Sequence, residues 1–125
     1  MVKNYTGDRL NFTLAKKKAE AMGIPTTMVV VADDCAVPRA QGITGRRGVA
    51  GAVFVHKCAG AVSEGGGEHG EVVEAAEFVA GRIMSMGVSL STVTLPGAEK
   101  NERLGEGQVR ERNGGTGGLF CFVLF

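Results

Sequence analysis

Between residues 8 and 22 the apolar side chains Leu10, Leu14, Ala15, Ala19 and Met22 recur at mixed three- and four-residue steps. That period predicts a helix, although a strict four-residue step from Leu10 through Leu14 lands on Lys18. Asp8 is placed to cap the helix, and Gly23 followed by Pro25 stops it. The next stretch, Thr26 to Ala32, is nearly all apolar after its two threonines. Such a run predicts a strand covered on both faces, as in a parallel sheet. Asp33 and Asp34 follow at its carboxyl end. They are either a ligand edge, because open α/β sheets bind ligands there, or a solvated turn.

From Ala36 to Gly45 the chain reads as a loop containing Pro38 and Gly42. A second helix is predicted near 46–64, with Val49, Ala50, Val53, Phe54, Cys58, Ala61 and Val62 as its apolar positions. Gly48, Gly51, Ala52, Ala59, Gly60 and Ala61 would let another element approach closely. Arg46 and Arg47 oppose the dipole at that helix start, so they pair with a carboxylate or bind an anion. A third helix, near 70–86, carries Val72, Ala76, Val79, Ala80 and Ile83 on one face. Glu68, Glu71, Glu74 and Glu77 form its opposite face, read as solvated rather than metal-binding. A strand near 89–95 ends at Pro96-Gly97. This order predicts an α/β layered unit, with Val29, Val31, Val53, Phe54, Val79 and Val93 buried.

The chain's 125 residues fit one small domain or a piece of a larger one. Its net charge of +1 gives no case for nucleic acid or an acidic membrane surface. Lys16, Lys17 and Lys18 point in different directions on a helix and read as a solvated face. Cys35, Cys58 and Cys121 are too widely spaced for a disulfide framework or a zinc site, and fit reduced thiols in a cytoplasmic setting. No signal peptide or membrane span is expected from the amino terminus or the apolar runs. Glycines concentrate at Gly65-Gly66-Gly67 and from Gly114 to Gly118, as in loops or linkers.

Lys3 and Asp8 are the candidate chemistry. A cation and a carboxylate flank a polar turn, so together they can hold a small hydroxylated ligand. The plain alternative is that Asp8 is only a helix cap. His56, alone on a helix, reads as structural before it reads as catalytic. His69 reads as solvent-facing.

Several segments together resemble the substrate-binding region of dihydroxyacetone (glycerone) kinases. They are Lys3-Asn-Tyr-Thr-Gly-Asp8-Arg-Leu-Asn-Phe12, Met28-Val-Val-Val-Ala-Asp-Asp34, Gly45-Arg-Arg-Gly-Val-Ala-Gly51, Phe54-Val-His-Lys57, Ala59-Gly-Ala61 and Met86-Gly-Val-Ser-Leu90. The resemblance implies a layered α/β fragment of a two-lobed substrate-binding domain over residues 1–109, followed by a divergent tail at 110–125. It also implies ATP-dependent phosphorylation of dihydroxyacetone or glyceraldehyde, with Lys3 bonding the triose and Asp8 as the catalytic carboxylate beside the reacting hydroxyl. ATP and magnesium belong, by the same resemblance, to a separate helical module, so no cofactor is expected in this chain. Full family members are often dimeric.

The departures bear on activity. The family captures its ketone on a histidine in a Gly-Ile-His-Gly motif, after the segment matching Leu104 to Val109. Here Arg110 to Gly118 follows, and in ungapped register Thr116 stands at the histidine's place. A threonine hydroxyl without an activating base is a poor nucleophile. Met1 falls inside what the family makes a strand, so the upstream part of its first lobe is expected to lie outside this sequence. The tail Leu119-Phe-Cys-Phe-Val-Leu-Phe125 is apolar and β-prone. Three readings follow: a partial kinase without turnover of its own, a non-catalytic binding or regulatory partner of a full kinase, or an inert fragment.

Overall fold

The computed structural model describes residues 1–36, 45–89, 96–97, 110–111 and 119–124. Strand β1 (Val2–Lys3) leads through a short turn into helix α1 (Thr6–Ala21), and the chain returns as β2 (Val30–Val31). β1 and β2 pair in parallel, with Val2 opposite Val30 and Lys3 opposite Val31. Helices α2 (Ala52–Glu64) and α3 (His69–Ala80) follow, then β3 (Met84–Ser89). β4 (Arg110–Glu111) and β5 (Leu119–Leu124) both pair antiparallel with β3. A parallel bridge between Asp34 and Ser85 joins the β2 end to β3. The α/β class read from the sequence therefore holds, and β2 runs parallel, but it spans only Val30–Val31 of the strand expected over Thr26 to Ala32.

The core lies between the strands and the α2–α3 pair. Val29, Val31, Ala52, Val55, Ala59, Ala76 and Ile83 form one buried cluster, with Val72, Val73, Val79 and Ala80 packed against it. On α2 the buried residues Ala52, Val55 and Ala59 follow a helical step. Ala59 and Ala76 are small, which lets the two helices approach closely. Gly66 turns between them at φ +84, and Glu71 accepts the Glu68 N–H at 2.7 Å to close the first turn of α3.

Several expectations need correction. α1 begins at Thr6 with Tyr5 at its N-cap, so Asp8 sits inside the first turn and does not cap it. Leu10, Leu14 and Met22 are exposed at 68%, 55% and 77%, so the apolar stripe of α1 is not its inward face. α2 begins at Ala52, not near 46, because residues 46–51 are held against the strand ends by contacts described below. α3 ends at Ala80, and Met84–Ser89 is strand where the periodicity had continued the helix. Gly81 caps that end, and β3 then places Ser85 beside Asp33. Val53 is 58% exposed because the inward position of that turn belongs to Val55, while Phe54 and Val79 are half-buried. Residues 37–44, 90–95 and 116, with the expectations for Pro38, Gly42, Val93 and Thr116, lie outside the described residues.

Candidate functional site

The parallel β1–β2 pair ends at a carboxyl edge, where open α/β sheets present ligand-binding groups. Lys3 is the last residue of β1 and is exposed. Asp8, half-buried, stands in the first turn of the helix that leaves that edge. The β1–turn–α1 connection thus brings both candidate residues to one end of the sheet. Neither lines the groove of about 400 Å³ that runs along α1 past Thr6, Arg9, Leu10 and Lys17.

Between them, Asn4 is only 5% exposed. Its backbone N–H donates to the Val31 carbonyl at 2.9 Å, and its side-chain amide donates to the Arg46 carbonyl at 2.5 Å. Arg9 reaches back from α1 to the Asn4 side-chain oxygen at 3.4 Å. Asn4 therefore ties the strand end to both the helix and the 46–51 loop. Sequence reasoning gave it no role. A polar side chain directly after a strand, facing a Gly-rich loop, was the available signal.

Asp33 and Asp34 prove to be neither a solvated turn nor a free ligand edge, because both are buried, at 1% and 4% exposure. Asp33 Oδ1 accepts the Val49 N–H at 2.8 Å, while Oδ2 accepts the Gly51 N–H at 2.7 Å and the Ser85 hydroxyl. A carboxylate just beyond β2 thus gathers N–H groups of the loop that leads into α2. Asp34 Oδ2 pairs with Arg47 at 3.3 Å, and its Oδ1 accepts the Ala36 N–H at 3.1 Å. Arg47 accordingly follows the carboxylate-pairing alternative. Ser85, fully buried, was missed because its stretch read as helix.

His56 and Cys58 are exposed on α2. His69 is also exposed, and its Nε2 lies 3.1 Å from the Thr27 hydroxyl. Glu68, Glu71, Glu74 and Glu77 are exposed along α3. Among the described residues no group of three or more His, Cys, Asp or Glu side chains could hold a metal ion. The Asp33 oxygens are already engaged by N–H and O–H donors, so this donor set does not fit magnesium. No helix among the described residues is long and apolar enough to cross a membrane.

The Dak1 domain model matches residues 1–117. A putative 3,4-dihydroxy-2-butanone kinase of Solanum lycopersicum is 48% identical over 109 residues, covering 87% of this chain and 18% of that protein. The native-form crystal structure of the dihydroxyacetone kinase of C. freundii is similar with a TM-score of 0.70 and 39% identity, over 90% of this chain and 19% of that one. A dihydroxyacetone kinase operon co-activator is similar with a TM-score of 0.78 and 32% identity, over 88% of this chain and 34% of that one. The chain thus spans less than a fifth of the length of the curated kinase relative it matches. The family match, the sequence relative and the similar solved structures agree: this chain belongs to the Dak1 domain family of the dihydroxyacetone kinases.

Proposed function

We propose that the chain forms part of the triose-binding side of a cytoplasmic dihydroxyacetone kinase, with dihydroxyacetone or glyceraldehyde as substrate and ATP, carried by a helical partner module, as phosphoryl donor. The observation that carries this reading is the shared position of Lys3 and Asp8 at the carboxyl edge of the parallel pair. The Lys3 ammonium donates to a triose oxygen. Asp8 accepts the proton of the terminal hydroxyl as that oxygen attacks the γ-phosphorus and ADP leaves. Most of such a reaction is alignment, which a strand end and a helix start provide better than a free loop. With Thr116 at the capture histidine's place, the 125-residue polypeptide binds triose weakly and gives no turnover of its own.

Two measurements test this. In a titration of the chain with dihydroxyacetone followed by amide chemical shifts, Lys3→Ala and Asp8→Asn should each weaken binding. Shifts that are indifferent to both changes overturn the site. In the second, a cognate helical ATP module is added in trans and triose phosphate is measured, with no product above background expected. Turnover that vanishes in Asp8→Asn would mean that the chain is catalytically sufficient on its triose side.

A second reading, a non-catalytic binding or regulatory partner of a full kinase, is favoured by the similarity to the structure named as an operon co-activator. Co-purification with a full-length family kinase, without any change in triose binding by the chain, would select it.

A further inference from the structure

We propose that Asp33 and Ser85 are a buried positioning pair, which fixes the 46–51 loop and, through Asn4, sets the end of β1 that presents Lys3. The proposal rests on the triose-site reading for its functional consequence, and on geometry alone for its mechanical part.

The chain of contacts is continuous. Ser85 is fully buried on β3, and its hydroxyl donates to Asp33 Oδ2 while its backbone N–H donates to the Asp33 carbonyl at 2.7 Å. Asp33 holds the Val49 and Gly51 N–H groups, and Gly51 also donates to Ser85 Oγ at 3.1 Å. A Cβ on Gly51 would lie 2.5 Å from Asp33 Oδ2, so the loop closes onto the carboxylate with no room for a side chain. At the other end of the loop, the Arg46 carbonyl receives the Asn4 side chain and the Arg47 carbonyl receives the Asp34 N–H at 3.0 Å. Gly48, between them, is pressed against Lys3 and Asn4.

No atom of Asp33 or Ser85 needs to meet substrate for this pair to matter. A Lys3 ammonium misplaced by a fraction of an ångström loses orientation at the triose oxygen. The buried carboxylate is also a demanding anchor, because removing one donor leaves others to rearrange around a desolvated charge.

The test is made on the 125-residue chain by NMR, reading hydrogen exchange of the Asn4 side-chain amide. Ser85→Ala should accelerate that exchange about fivefold to tenfold, the equivalent of one lost hydrogen bond, while the Ala59 and Val62 amides, inside α2, stay protected. Asp33→Asn, isosteric and with an N–H₂ group facing N–H donors, should do the same and serves if Ser85→Ala fails to fold. Unchanged Asn4 exchange overturns the proposal. So does a uniform rise at Asn4, Ala59 and Val62 together, because that marks general loosening.

The functional step is read from dihydroxyacetone affinity in a double-mutant cycle. Ser85→Ala and Asn4→Ala should each weaken binding, and the double variant should be no worse than Asn4→Ala alone. Additive losses overturn the route through Asn4. If affinity proves indifferent to Lys3→Ala, the triose-site reading fails, and the exchange result still decides whether the pair positions the strand end.

Discussion

Gly48 faces the carbonyl oxygen of Val31 so closely that a Cβ built on it would collide with that oxygen. The same Cβ would lie 2.7 Å from both the Asn4 nitrogen and the Lys3 Cα. All three obstacles are backbone atoms, two in the parallel pair and one directly after β1. A flexible side chain could swing away, but a paired strand cannot. Gly48→Ala should therefore cost about 1–3 kcal/mol, the range for overpacking a filled interior. Urea unfolding is the check, and a midpoint equal to wild type would mean that the loop can retreat from the strands.

Gly60 provides the opposite case. It lies within α2, and a Cβ there would meet nothing within 4 Å. Alanine removes backbone freedom from the unfolded chain without adding a clash. Gly60→Ala should raise stability by about 0.5–1 kcal/mol. A loss instead would place an unseen surface against that face of the helix.

These two glycines also mark what the sequence could and could not reveal. Composition and period were enough for the existence of three helices and for a strand within the apolar 26–32 stretch, though that strand is only Val30–Val31. They could not separate Gly48, pressed against a strand, from Gly60, open to solvent, since both sit in small-residue stretches. The helix-like spacing from Val72 to Ile83 ran past Gly81, and only the pairing of Ser85 with Asp33 and of β3 with β5 requires strand beyond it. Tertiary pairing outweighed local period there. Asp33 was misread for a related reason. A carboxylate at a strand end looks solvated until the distant donors of Val49, Gly51 and Ser85 are known. Lys3 and Asp8 could be considered together from the sequence because only four residues lie between them, within one strand–turn–helix connection.

Arg47 and Asp34 offer a test of the loop's electrostatic support. Asp34 is 4% exposed and the Arg47 side chain 26%, so their 3.3 Å pair is shielded from salt better than a surface pair. Arg47→Ala leaves a buried carboxylate short of its cation. The expected loss is about 1.5–3 kcal/mol, that of a hydrogen bond to a charged group. Arg47→Lys should recover only part of it, because an ammonium cannot reproduce the guanidinium fork. Thermal unfolding at low and at high salt is the measurement. A loss that disappears at high salt would mean that the pair behaves as if exposed.

Val53 and Val55 lie two positions apart on α2 but differ in burial, at 58% and 0% exposure. Val55 packs in the cluster with Val31, Ala59 and Ile83, so truncating it removes apolar contact and leaves a void among residues that cannot all collapse inward. Two lost methylene equivalents at about 0.8 kcal/mol each, plus the cavity, give an expected cost of roughly 2 kcal/mol for Val55→Ala. Val53→Ala should stay within about 0.5 kcal/mol, helped by the better helix propensity of alanine. Denaturant unfolding of the two variants beside wild type makes the comparison. If Val53→Ala proved the costlier change, the inward face of α2 would be rotated from the one described. The Asp33–Gly51 contact at its start would then be wrong as well, because the same helix orientation sets both.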